Sequence, residues 1–285
     1  MLIDAHTHFW SLDRGDYRWL KPELGSIYRD CSPGELAPWL KWAGIERTIL
    51  VQAADTVAET NYLLVLARAA PFVAGVVGWV DLESRAAPAQ IERLAADPFV
   101  VGIRPMLQDL PDVAWMLKPA LGPALKALAA SGLAFDALVR MDHVPHLRTF
   151  LRRYPELRVV IDHAAKPSIA CGMKPWLSFG AWRDHMAGIA SESTAFCKLS
   201  GLVTEATGEW STPELRPYFD ALYSTFGPRR LMWGSDWPIV ELGGGFEAWW
   251  RSTVELVNGL PPEEIAGILG DNAASFYRLR ARSVA

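Results

Sequence analysis

Eight short apolar runs recur along the 285 residues of this chain, and stretches with helical spacing lie between them. The runs are Leu2–Ala5, Thr48–Gln52, Val73–Val80, Val100–Pro105, Ala134–Val139, Val159–Asp162, Ala195–Ser200 and Leu231–Gly234. Such alternation calls for parallel strands, because only a long crossover, usually helical, returns the chain to the start of the next parallel strand. The helical candidates include Pro33–Ala43, Ala58–Ala70, Ala87–Ala95, Val144–Arg153, Pro213–Thr225 and Phe246–Val257. Strand-to-strand spacings of roughly 25 to 50 residues suit βα units with some long loops. The predicted fold class is therefore α/β, a (β/α)8 TIM barrel. Barrels of this length are commonly one domain, so residues 1–285 are expected to form a single domain. The final segment, Pro261–Arg280, reads as a helix entered at Pro261-Pro262, with Glu263 and Glu264 complementing the dipole of its first turn. It is expected to close the bottom or side of the barrel.

Composition removes several classes of function. Hydrophobic residues make up 51% of the chain, enough for a large core, and the net charge of −4 offers no basic footprint for a phosphate backbone. Nucleic acid is not an expected partner. No apolar run approaches the roughly 18 residues of a membrane span, and Met1 leads straight into Leu-Ile-Asp-Ala-His without the basic and apolar start of a signal peptide. A cytoplasmic protein with no membrane partner is expected, and Cys31, Cys171 and Cys197 are too few and scattered for a disulfide framework or a zinc cage. The Gly243-Gly244-Gly245 run lacks the Lys-Ser/Thr ending of a phosphate loop and reads as a flexible loop after the last strand. The chain has 13 tryptophans. Trp10, Trp79, Trp233 and Trp237 stand beside candidate site residues and suit the wall of a pocket for a flat or ring-shaped substrate, simple packing being the alternative.

In a barrel enzyme the site lies at the C-terminal ends of the strands, so polar residues that close apolar runs are the ones to weigh. His6 and His8, at positions i and i+2 of an extended segment, point the same way and can reach one metal ion or one substrate oxygen. His163 follows Val159–Asp162, where it can polarise a carbonyl or ligate a metal. Asp236 follows Leu231–Gly234 in a partly desolvated position suited to a general base, against the alternative of a turn or capping aspartate. Arg104 closes the fourth run and can fork onto a carboxylate or ring oxygen, or else form a structural salt bridge. Gln52, Asp136 and Lys198 occupy comparable positions and are candidates to line the pocket. His143, His146 and His185 fall in helical or loop stretches and read as surface residues.

Taken together, Ile3–Trp10, Asp162-His163-x-x-Lys166-Pro167, Lys198–Gly201 and Gly234–Pro238 resemble, in order from the first strand to the eighth, the amidohydrolase-related (amidohydrolase 2) lactonases. That group includes enzymes acting on fuconolactone, rhamnonolactone and pyrone-dicarboxylate lactone. Gly102–Arg104 with Leu107–Asp109 is similar to the sugar-lactonase branch. The resemblance implies a hydrolase that opens a lactone, a sugar aldonolactone first. It further implies Asp236 as the base that activates water, His6 and His8 as the paired first-strand histidines, and His163 near the substrate carbonyl as the second catalytic residue; Arg104, Gln52, Trp237 and Lys198 are expected, from their places at or near strand ends, to bind the substrate.

Relatives with two metals carry a bridging lysine on the fourth or fifth strand, and no lysine lies within Val100–Met106 or Leu133–Val139. What remains is one divalent ion, zinc by preference, on His6, His8 and Asp236, or none. The expected partner is a small-molecule lactone, with a homo-oligomer left open. Two rival readings stand beside this one: a zinc-dependent decarboxylase of an aromatic or muconate-type acid, and a sugar-binding barrel without catalysis.

Overall fold

The computed structural model of the chain describes residues 1–169, 178–206 and 208–280, so Cys171 lies outside the described residues. Eight strands form one sheet in sequence order: β1 (Ile3–Thr7), β2 (Arg47–Val51), β3 (Val73–Gly78), β4 (Val100–Ile103), β5 (Ala134–Ala137), β6 (Arg158–Ile161), β7 (Phe196–Leu199) and β8 (Leu231–Trp233). All seven neighbouring pairs are parallel. The ring closes where Thr7 bridges Trp237, with His8 N donating to Trp237 O at 2.7 Å and Asp236 N donating to His6 O at 2.8 Å. This is the (β/α)8 barrel expected from the eight apolar runs.

Helices fill the connections. They are α1 (Pro33–Ala43), α2 (Val57–Ala69), α3 (Ala87–Ala95), α4 (Gly122–Ser131), α5 (Val144–Arg153), α6 (Phe179–Glu192), α7 (Leu202–Glu205), α8 (Thr212–Phe226) and α9 (Gly245–Val257). The starts are written in the sequence. Before α1, Ser32 and Glu35 form a reciprocal capping box with Pro33 in the first turn, and Gly44 ends the helix at φ 72°. Ser211, Pro213 and Glu214 repeat the device at α8.

Two apolar layers result. Ile3, Ala5, Ile49, Val51, Val77, Val101, Ala134, Val160 and Met232 fill the barrel interior, while the larger cluster packs the outer strand faces against the helices. Ala273, Phe276 and Tyr277 of the last helical segment join the inner cluster and plug its lower end, as expected of a closing segment. That segment is not one helix to Arg280. It runs as Pro262–Ala266, a wide π turn at Gly267–Asp271, and Asn272–Phe276. A Cβ on Gly270 would lie 2.0 Å from Met1 O, so the irregular turn and its glycine let the N-terminus pass.

Two further expectations need correction. Gly243–Gly245 is no loose loop, because a Cβ on Gly243 would lie 2.7 Å from the Val203 backbone, and Gly245 already opens α9. His143 is buried in a 3-10 turn and bonded to the Arg140 N–H, whereas His146 and His185 are half-buried.

Candidate active site

Strand β1 and the segments after β4, β6 and β8 bring His6, His8, Arg104, His163 and Asp236 together at the C-terminal mouth of the barrel. All five are buried. His6 Nε2 and His8 Nε2 stand 3.1 Å apart, so the i, i+2 spacing does aim both rings at one point. His8 Nδ1 meets Val51 O at 2.8 Å, and because a carbonyl only accepts, Nδ1 carries the proton and Nε2 presents its lone pair. That lone pair faces Asp236 Oδ1 at 3.3 Å. His163 Nδ1 lies 3.8 Å from Asp236 Oδ2, and its ring sits edge-on to His6 with centroids 4.5 Å apart.

The backbone is bent to present these groups. His163, Ala164, Ala165 and Lys166 all hold φ between 51° and 57°, a left-handed turn that non-glycine residues adopt at about 1–2 kcal/mol each. The surroundings hold it in place. Ser200 Oγ lies 2.9 Å from His163 Nδ1, the Trp182 indole donates to Ala164 O at 2.8 Å, and Lys166 N donates to His163 O at 2.7 Å. Gly201, itself at φ +64°, leaves the room that His163 occupies: a Cβ there would come within 2.7 Å of Nδ1. Asp236 is also left-handed, at φ 61°. Asp4 Oδ1 accepts from His6 N at 3.1 Å and from Ser235 N at 2.8 Å, tying the first strand to the turn that carries Asp236.

Electrostatics separate the charge states. Burial pushes the imidazoles towards neutrality: His163 falls to about 4, His6 well below its usual value with help from the Lys198 ammonium, and His8 is lowered too. Burial would raise Asp236, but the surrounding imidazoles, His163 first, hold it below the usual carboxylate range. The site thus joins an ionised carboxylate to three neutral rings.

Beneath it runs a buried ionic layer. Lys198 Nζ donates to Asp136 Oδ2 at 2.6 Å and to His6 Nδ1 at 3.0 Å, and pairs with Asp162 Oδ1 at 2.9 Å, so one cation serves two carboxylates and a ring nitrogen. Despite burial, Lys198 and His6 hold Asp162 well below the ordinary carboxylate range. The Tyr277 hydroxyl donates to Asp136 Oδ2 at 2.7 Å.

Above the site opens a cavity of about 230 Å³. His8, Arg104, His163 and Asp236 form its polar side, Trp19, Leu24, Ala53, Met106, Leu138, Ile239 and Leu242 its apolar wall, and Gln108 and Lys166 complete the lining. Four expected lining residues stand behind this surface instead, Asp136 among them, held in the ionic layer by Lys198 and Tyr277. Lys198 is held in the ionic layer, Gln52 braces Arg104 by donating to its carbonyl at 2.9 Å and accepting from its guanidinium at 3.2 Å, and Trp237 packs on Phe9. The tryptophan wall is likewise reduced: Trp10 and Trp233 are core residues, Trp79 does not reach the cavity, and the ring that does is Trp19.

Several residues emerge only from the fold. Asp4 and Asp162 adjoin their histidines in sequence, which was their one visible signal. Gln108, whose Oε1 is buried without a hydrogen-bond partner, and Gly201 showed only as members of the Leu107–Asp109 and Lys198–Gly201 motifs, with no role attached.

The donor set also bears on metal binding. His6, His163 and Asp236 each offer an atom within 4.8 Å of the others, and Asp236 Oδ1 is buried without a hydrogen-bond partner while the His8 lone pair points at it. Imidazole nitrogens and a carboxylate oxygen converging in this way are a donor set that fits a divalent cation. His163 thus joins the set expected from His6, His8 and Asp236.

The sequence profile of the amidohydrolase family matches residues 3–279. The chain is 47% identical over 283 residues to an L-fucono-1,5-lactonase of Burkholderia ambifaria, covering 97% of this chain and 95% of that protein. It is 34% identical to an L-fucono-1,5-lactonase of Burkholderia multivorans, covering 97% and 96%. Among solved structures, an amidohydrolase from Burkholderia multivorans with bound zinc superposes with a TM-score of 0.91 at 32% identity, covering 98% of this chain and all of that one.

Proposed function

The chain belongs to the amidohydrolase family, and on that premise we propose that it is a hydrolase that opens the ring of a sugar lactone. The observation that carries this reading is Asp236: an ionised, buried carboxylate with one unpartnered oxygen, set among three neutral imidazoles on the floor of a cavity that Arg104 also lines.

Asp236 Oδ1 takes a proton from a water molecule, whose oxygen forms a bond to the lactone carbonyl carbon. The ring C–O bond then breaks, and Asp236 returns the proton to the departing ring oxygen, leaving an open hydroxy acid. With Ser200 on its Nδ1, His163 presents Nε2 to the cavity, where with Arg104 it stabilises the oxyanion, usually the largest single contribution in such a site. His6, His163 and Asp236, with His8 beside them, would hold one divalent ion, zinc by donor type, which when bound polarises the carbonyl and lowers the pKa of bound water.

The finer substrate follows from the cavity and the relatives. One side is apolar and the other carries Arg104, Gln108 and Lys166, which suits a ring with a hydroxylated face and a methyl substituent. A 6-deoxyaldonolactone of the L-fucono type has that shape, and the activity named for the two Burkholderia relatives supports it. The test is to follow acid release from L-fucono-1,5-lactone and from its counterpart bearing a hydroxymethyl group. The expected result is hydrolysis of both, with the methyl compound preferred at least tenfold, about 1.4 kcal/mol. Absence of acid release from every aldonolactone would overturn the assignment.

A further inference from the structure

At the opposite end of the barrel lies a second cavity, of about 210 Å³. Ala74, Val100, Val101, Leu133 and Arg158 line it, residues at or next to the starts of β3 to β6, so it opens at the N-terminal face, away from the candidate active site. Three guanidinium groups border it: Arg158, Arg278 and Arg280. Among the described residues none of the three has a carboxylate within ion-pair distance. The one acid in the lining, Asp97, is already occupied by Arg68 and by the Phe99 N–H. Tyr277 spends its hydroxyl on Asp136, and Ser131 spends its own on Leu128 O. Among the described residues, the positive charge of this cavity is therefore uncompensated.

Two of the arginines are held by the fold. Arg158 is half-buried, donates to Gly132 O and Phe276 O, and stacks over the Phe276 ring at 5.8 Å. Arg278 sits at φ 51° just past the last helical turn, and its Nη1 lies 2.7 Å from where a Cβ on Gly132 would be. Gly132 thus brings both guanidiniums to one spot, against their mutual repulsion. Burial, with Arg278 adding to it, pulls Arg158 down to about 10. Like charges gathered in a cavity without acidic partners are the arrangement that binds a multivalent oxyanion, for which the planar, always-charged guanidinium is the favoured ligand.

We infer that this basal cavity is a binding site for a dianionic phosphate group, held chiefly by Arg278 and Arg158 and separate from the catalytic end. The same chemistry is offered by free phosphate and by the phosphate ester of a small metabolite.

The test is titration of the full-length protein with inorganic phosphate, and separately with a hexose 6-phosphate, by calorimetry at constant ionic strength. Saturable binding of one equivalent is expected, weakened at least tenfold in Arg278→Gln, an exposed position where folding should not be at stake, and retained in Arg104→Gln. The tighter of the two probes identifies the source of the phosphate. Equal binding by wild type and Arg278→Gln, loss of binding in Arg104→Gln, or no saturable binding of either probe would each overturn the proposal.

Discussion

Replacing Gly201 by alanine should damage the site through His163, without removing any polar group. The new Cβ would sit 2.7 to 2.8 Å from Nδ1, Cβ and Cγ of His163, far inside ordinary contact, so the ring must retreat by about half an ångström. Left-handed φ at position 201 adds about 1–2 kcal/mol for any residue with a Cβ, and crowding in a packed interior adds about 1–3 kcal/mol. A loss of roughly 2–5 kcal/mol corresponds, for a domain of this size, to a fall in Tm of about 3–10 °C. The retreat also breaks the contact to Ser200 and misplaces a catalytic ring, which by itself can cost about 10²-fold in kcat/KM. Gly208 supplies the control: it too is left-handed, at φ +71°, but nothing lies within 4 Å of its would-be Cβ. Gly208→Ala should therefore cost only the backbone penalty and leave turnover unchanged. Thermal melts and initial rates on an aldonolactone measure both quantities. Equal stability and equal turnover for the two variants would refute the claim that Gly201 makes room for His163.

Other expectations follow from buried charge. Lys198→Met strips the cation that joins Asp136 to Asp162, with Arg104 still reaching Asp162, and should cost about 3–5 kcal/mol, read by urea denaturation; a loss below about 1 kcal/mol would contradict the buried ionic layer. Burial raises Glu59 to about 8, although two backbone N–H groups from Ala53 and Ala54 bond it. Its protonated form is then favoured by folding, so stability should fall as pH rises from about 4.5 to 8, by a few kcal/mol at most, and Glu59→Gln should flatten that slope. Because burial lowers His163 to about 4, kcat/KM should stay level across neutral pH and drop as pH falls through that region; a midpoint near 6.5 would show the ring to be exposed. Purified protein should hold no more than one equivalent of zinc, and two equivalents by metal analysis would contradict His6, His163 and Asp236 being the single such cluster among the described residues.

Much of this architecture was legible from pattern alone. Strands and helices announce themselves through period and caps, as in Pro33–Ala43, whose bounds coincide with the observed helix because Ser32, Glu35 and Gly44 mark both ends. His6, His8, His163, Arg104 and Asp236 were visible because strand ends are where barrels keep their chemistry. What period does not carry is direction. Lys198 and Gln52 end or follow strands as Arg104 does, yet one points into an ionic layer and the other sideways onto a neighbouring backbone. The tryptophans misled for a related reason: a large ring beside a site residue in sequence alternates to the outer face and packs under the helices. The left-handed turn at His163–Lys166 and the break at Gly267–Asp271 left no trace, since both are imposed by tertiary contacts on residues of ordinary propensity.

The account stands most directly on Asp236 as the group that takes the proton from water. Asp236→Asn keeps the size and removes the base, so with L-fucono-1,5-lactone the account predicts a fall in kcat of at least about 10²-fold, at unchanged Tm and with the protein still folded. Turnover within a fewfold of wild type would contradict it.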